Sequence, residues 1–157
     1  MQWRMMSLIA GILFPFLFLA CSKSSVQKQN LPPGPFTIGL AQGGGFTGME
    51  TGYHLDKWGN LLAYRRLPGA EEEVSGQALV RADSADYWYV RLIRAGAAPA
   101  NYLRKGDVYR KIYLSEGDST RIWLWNPADT EGVPSEILTF YSEFLGFCQR
   151  HLQKKQK

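Results

Sequence analysis

The sequence predicts an α+β domain, an antiparallel β-sheet of about five strands with two helices packed on one face. Three observations predict it. Residues 49–67 and 108–126 each read as strand, turn and returning strand. Residues 83–95 and 134–152 carry apolar side chains at helical spacing. A further β-rich stretch, Phe36 to Ala41, precedes the first hairpin.

Taken in order, "FTIGLA" at 36–41 enters the glycine cluster Gly43-Gly44-Gly45. After Phe46-Thr47-Gly48 the chain alternates from Met49 to Lys57, with Thr51, Tyr53 and Leu55 sharing a face. Trp58-Gly59-Asn60 makes the turn, Leu61 to Leu67 returns, and Pro68-Gly69 with Glu71-Glu72-Glu73 ends the strand. The first helix is expected over Asp83–Ala95, capped by Asp83 or Ser84, with Arg91 and Arg94 in its last turn and Gly96 as the stop. Ala85, Trp88, Tyr89 and Leu92 should face the sheet. In the second hairpin the turn is Glu116-Gly117-Asp118-Ser119. Its two faces are expected to hold Ile112, Leu114, Ile122 and Leu124 on one side, and Tyr109, Tyr113, Trp123 and Trp125 on the other. Pro134-Ser135-Glu136 opens the last helix, whose stripe is Ile137, Tyr141, Phe144, Cys148 and Leu152.

Of 157 residues, 45% are hydrophobic and 13% aromatic, enough for one modest core. The formal charge of +4 is misleading. Between Leu31 and Gln149, 11 Lys and Arg stand against 14 Asp and Glu, so the body is acidic. The positive excess lies at Arg4, Lys23, Lys28 and the tail Arg150, Lys154, Lys155 and Lys157. Basic ends around an acidic body, with no basic stripe interleaved with aromatics, argue against a nucleic-acid partner.

The N-terminus carries an address. Met1-Gln-Trp-Arg4 supplies one positive charge, and an apolar run from Met5 to Ala20, interrupted only by Ser7, leads to Phe18-Leu19-Ala20-Cys21. That order resembles the lipobox of bacterial lipoproteins, with Phe18 where Leu is usual. The resemblance implies alkylation of the Cys21 thiol by diacylglycerol and cleavage after the small residue Ala20. Residues 1–20 are then a signal peptide and 21–35 a lipidated flexible tether. Residues 36–152 form the single domain, and 153–157 a basic tail. Pro15 and a length short of ~20 residues set the apolar run apart from a spanning helix. At ~0.8 kcal/mol per buried methylene, three acyl chains make an anchor that does not release. Ser22 after the lipidated cysteine implies the outer membrane, on its periplasmic face. With Cys21 consumed, Cys148 has no disulfide partner and is expected as an inert buried thiol.

The most distinctive local signal is "GGGFTG", formed by Gly43, Gly44, Gly45, Phe46, Thr47 and Gly48. It lacks the Gly-Lys-Ser/Thr ending and following helix of a phosphate loop, and a strand comes next. It reads either as a bend in which glycines supply positive φ, or as a partner-binding loop with Phe46 as its one large apolar group. The run Gly44 to Gly48, followed by hairpin, helix, hairpin and a Pro-started helix, resembles emfourin-type inhibitors of thermolysin-like metalloproteases. Small lipoproteins with a "GGGF(T/S)G…GY" opening are similar too, matched here by Gly52-Tyr53 and Asp56-Lys57-Trp58-Gly59.

No catalytic set emerges. His54 and His151 stand in different elements without Cys, His or Asp at metal-ligand spacing. His54 at i, i+2 from Asp56 reads as a solvent-side pair. No serine sits in a nucleophile elbow, and no cofactor motif is present. The expectation is a membrane-anchored, non-enzymatic interaction module, protease-inhibitor-like in one form, whose partner is another envelope protein. In the alternative, Tyr109, Tyr113, Trp123 and Trp125 form an aromatic face for glycan binding or envelope assembly. Replacing Cys21 by Ala is expected to abolish palmitate labelling and membrane fractionation; a variant that still labels and sediments with membranes refutes the lipid anchor.

Overall fold

A computed structural model describes residues 34–96, 98–102 and 108–153. The expected signal peptide, Cys21, most of the expected tether and all but Gln153 of the expected 153–157 tail lie outside the described residues. Six antiparallel strands form an open sheet, and a two-residue strand adds to one edge in parallel. In chain order the elements are β1 (Phe36–Gly44), β2 (Glu50–Asp56), β3 (Asn60–Arg66), β4 (Glu73–Leu79), α1 (Ala82–Arg94), β5 (Ala100–Asn101), β6 (Val108–Glu116), β7 (Ser119–Trp125) and α2 (Ser135–Gln153). Across the sheet they run β4-β3-β2-β1-β6-β7-β5.

β1 is the centre of the sheet, paired with β2 on one side and β6 on the other. Its alternation sorts the two faces. Phe36, Ile38 and Leu40 point to the helices and are buried; Thr37, Gly39, Ala41 and Gly43 point to the face that no helix covers. The hairpin turn after β2 is held by Asp56, whose Oδ1 accepts from the backbone N–H of Trp58 and of Asn60, each at 2.9 Å.

Both helices lie on the Phe36–Ile38–Leu40 side. From α1, Ala85, Trp88, Tyr89 and Leu92 are buried as their spacing predicts. Phe36 meets Tyr89 with ring centroids 4.7 Å apart. From α2, Ile137, Phe140, Tyr141, Phe144, Phe147 and Cys148 are buried, a wider stripe than the sequence suggested. Trp88 joins the helices by contacting the Phe140, Phe144 and Phe147 rings at 5.0–5.7 Å. Each such side chain contributes about 1.5–3 kcal/mol on burial. Cys148 is fully buried, and burial pushes its thiol well above the ordinary range.

Three expectations change. The acidic run was expected to end the first hairpin, whereas Glu73 opens β4, which pairs along β3 from Asn60 to Arg65. Neither Asp83 nor Ser84 caps α1: Arg81 is the flanking residue with no side-chain cap, and Asp83 pairs with the Arg81 guanidinium at 2.6 Å. The second hairpin divides differently. Its loop is the two residues Gly117-Asp118, so Glu116 meets Ser119, and even-numbered β6 residues face odd-numbered β7 residues. Ile112, Leu114, Trp123 and Trp125 therefore share the buried face, while Tyr109, Tyr113, Ile122 and Leu124 share the other.

On the uncovered face three glycines stand directly opposite three tyrosines: Gly39 opposite Tyr113, Gly43 opposite Tyr109 and Gly52 opposite Tyr64. A Cβ on Gly39 would lie 1.8 Å from Tyr113 Cζ, so the phenol ring lies flat over the glycine. Gly39→Val is expected to cost at least about 1–3 kcal/mol in chemical denaturation. Combined with Tyr113→Ala it should cost clearly less than the two separate losses added together. Additive losses would place the Tyr113 ring elsewhere.

Candidate functional site

The uncovered face carries its own polar cluster, built in rows across four strands. One row is Tyr109 (β6), Gly43 (β1), Glu50 (β2) and Arg66 (β3). The next is Lys111, Ala41, Gly52 and Tyr64. The third is Tyr113, Gly39, His54 and Leu62. Because β1 contributes only Gly39, Ala41 and Gly43 here, β6 side chains pass over it to those of β2. That span is two strand spacings, about 10 Å.

Glu50 is the hub and the buried charged residue of the described chain, 3% exposed. Its Oε1 accepts from Tyr64 Oη at 3.0 Å and from Arg66 Nη2 at 2.7 Å. Its Oε2 accepts from Tyr109 Oη at 2.6 Å and Lys111 Nζ at 2.7 Å. Arg66 also reaches Glu72 at 3.3 Å, and Glu72 contacts His54 Nε2 at 3.0 Å. A carboxylate only accepts, so the imidazole proton sits on Nε2 and Nδ1 accepts from the Tyr113 hydroxyl. The His54 and Tyr64 rings lie 4.3 Å apart. Two carboxylates, one guanidinium and one ammonium balance to zero around a neutral imidazole.

Burial alone would raise the Glu50 carboxyl, but hydrogen bonds from Lys111 and Tyr109, the Lys111 charge and Tyr64 outweigh it, holding the group below its usual 4.5. Burial, reinforced by the Lys111 charge, holds His54 below 6.5 despite Glu72. Burial and the Glu50 hydrogen bond push Tyr109 up to about 12, and burial raises Tyr64 and Tyr113 further. The tyrosines are therefore donors at neutral pH, and both imidazole nitrogens are engaged. Among the described residues no three His, Cys, Asp or Glu side chains gather to hold a metal ion.

The Gly43–Gly48 loop lies at one pole of this face. Gly44, Gly45 and Gly48 have φ of 96°, 73° and 61°, and Gly48 N donates to Gly45 O at 3.1 Å. The glycines thus make the bend that their type suggested, and the bend leaves Phe46 fully exposed at its tip. The aromatic face proposed from sequence does not exist as one surface. Tyr109 and Tyr113 are on the uncovered side, whereas Trp123 (3% exposed) and Trp125 (0%) are in the core beneath the helices. His54 pairs with Glu72 and Tyr113, not with Asp56, which is committed to the hairpin turn. Sequence reasoning missed Glu50, Tyr64, Arg66, Lys111 and Glu72. The available signal was the Gly39, Ala41, Gly43 alternation of a strand with bulky residues on its other side. In comparisons with known proteins, no family model matches the chain and no curated protein matches it.

Acid should unlock the cluster in two steps. A depressed folded pKa means that stability is complete above the unfolded value and declines below it, down through the folded pKa. His54 therefore gives a loss starting as pH falls below 6.5, and Glu50 a second below 4.5. Melting temperature followed from about pH 8 to about pH 2.5 should show both. His54→Gln should remove the upper step, and Glu50→Gln the lower, at a neutral-pH cost on the order of 1–3 kcal/mol. An upper step that survives His54→Gln contradicts this assignment.

Proposed function

We propose that the chain is a lipid-anchored envelope lipoprotein whose domain is a non-enzymatic protein-interaction module, docking through the pole that bears Phe46. The observation that carries the reading is the complete exposure of Phe46 at the tip of a glycine-built turn. Soluble surfaces display single apolar residues freely, but this one has company. Met49, Leu67 and Val108 at the same end of the sheet are 41%, 54% and 46% exposed. Met49 borders two shallow grooves. One, of about 280 Å³, is shared with Arg66, Leu67 and Ala70; the other, of about 250 Å³, with Gly43, Val108, Tyr109 and Pro127.

Position supports the reading as well. The chain enters β1 at Phe36, and the nine residues of β1 separate that point from the Phe46 turn by roughly 30 Å. A tether ending at Gly34-Pro35 thus attaches to the pole opposite the apolar rim. The satisfied, charge-balanced cluster around Glu50 supports a holding role for the uncovered face and not a chemical one. The loss of a four-aromatic surface removes the main support for a glycan platform. A protease-directed form of the module rests on the emfourin resemblance of Gly44 to Gly48.

With a partner captured from solubilised envelopes, Phe46→Ser should weaken binding tenfold or more, since burying one such ring contributes on the order of 1.5–3 kcal/mol. The melting temperature should not move, because the Phe46 side chain is fully exposed and buries no area in the fold. Unchanged affinity in a folded variant removes the turn from the docking surface.

A further inference from the structure

On the helix side of the sheet, the last row that crosses four strands toward the Phe46 pole is polar. It consists of Arg110 (β6), Gln42 (β1), Thr51 (β2) and Arg65 (β3). The row beneath it holds Leu40, Tyr53 and Ala63, which floor an open groove of about 360 Å³. Tyr141, Leu145 and Gln149 of α2 form its wall. From β1 to β3 the groove runs across two strand spacings, about 10 Å.

The two arginines of the polar row are not equivalent. Arg65 is committed, since its Nε and Nη2 donate to the two oxygens of Glu73 at 2.8 and 2.9 Å. Arg110 bonds to no carboxylate among the described residues; its guanidinium lies 5.2 Å from the centroid of the Tyr141 ring. Tyr141 lines the groove at 3% exposure, and its hydroxyl has no hydrogen-bond partner among the described residues. Beside it Trp125, fully buried and edge-on to Tyr141 at 5.2 Å, keeps an Nε1–H without an acceptor. Buried polar groups are ordinarily met. The β6 end of the groove is thus rich in donors and short of acceptors.

We propose that this groove binds a small apolar carboxylic acid. Its carboxylate sits on Arg110 and the Tyr141 hydroxyl, and its carbon body lies along Leu40, Tyr53 and Leu145. A carboxylate accepts on both oxygens and matches the fork of a guanidinium, so it supplies what this end lacks. The far end offers no second anion site, because Glu73 already neutralises Arg65. The volume is that of a small-molecule pocket, with an apolar floor and few polar groups to fix orientation. The site needs neither Phe46 nor the lipid anchor, so its test can fail without touching the proposed function.

The test titrates the full chain in detergent with 4-phenylbutyrate, followed by NMR at the Arg110 Nε–H and the Gln42 side-chain amide. Both signals should shift and saturate with a Kd below about 1 mM. The neutral analogue 4-phenylbutyramide should bind at least tenfold more weakly. Arg110→Gln should weaken the acid roughly tenfold or more, and Tyr141→Phe, which keeps the buried ring, roughly fivefold or more. Arg94→Gln, which removes an exposed charge from α1, should leave the affinity unchanged. Melting temperatures establish that each variant is folded. The proposal is overturned by an acid that does not saturate, by an amide that binds equally well, or by a folded Arg110→Gln or Tyr141→Phe with wild-type affinity. A short peptide ending in free phenylalanine that binds more tightly than 4-phenylbutyrate overturns the small-acid assignment.

Discussion

Glu50 sets the terms for one whole side of this molecule. A carboxylate held at 3% exposure must be met by donors, because stranding a buried charge costs several kcal/mol. Four donors meet it, two on each oxygen, and they come from both β3 and β6. β6 is not the neighbour of β2; β1 lies between them. The hub therefore depends on β1 presenting only Gly39, Ala41 and Gly43 to the uncovered face. A side chain at Gly39 or Gly43 would occupy the path of Tyr113 or Tyr109.

The sheet is consequently sealed by two unlike layers. On one side the helices supply an aromatic core in which Trp88, Phe140, Phe144 and Phe147 interlock. On the other, tyrosine rings lie across bare glycine backbone, and their hydroxyls tie to Glu50 or His54. This second layer does what a third layer of helix would do, excluding water from the sheet, with side chains alone. The Phe46 turn stays exposed at one pole of that face.

Much of the element order was legible because the signals were local. Ala85, Trp88, Tyr89 and Leu92 repeat at helical spacing and are buried. The turns at Gly59 and Gly117 lie where glycine type and neighbouring strands put them. β4 was not legible, since Glu73 to Leu79 has an unbroken exposed start, a bulge and no alternation strong enough to compete with the acidic run before it. β5 is two residues long and has no periodicity to read. The Trp123 and Trp125 assignment failed on a single point of geometry. A two-residue loop fixes an odd–even register, and like-numbered parity across a hairpin is then the wrong guide to a shared face.

By itself the sequence determined the α+β class, both helices with their buried stripes and the glycine-built turn under Phe46. Each of these depends on residues within a few positions of one another. The tertiary structure alone decided which aromatics are covered and which charges meet. Lys111 and Glu50 are 61 positions apart, and Tyr113 and His54 are 59. No local pattern encodes such a meeting. It follows from which strands become neighbours, and here from the lack of side chains on the strand that separates them.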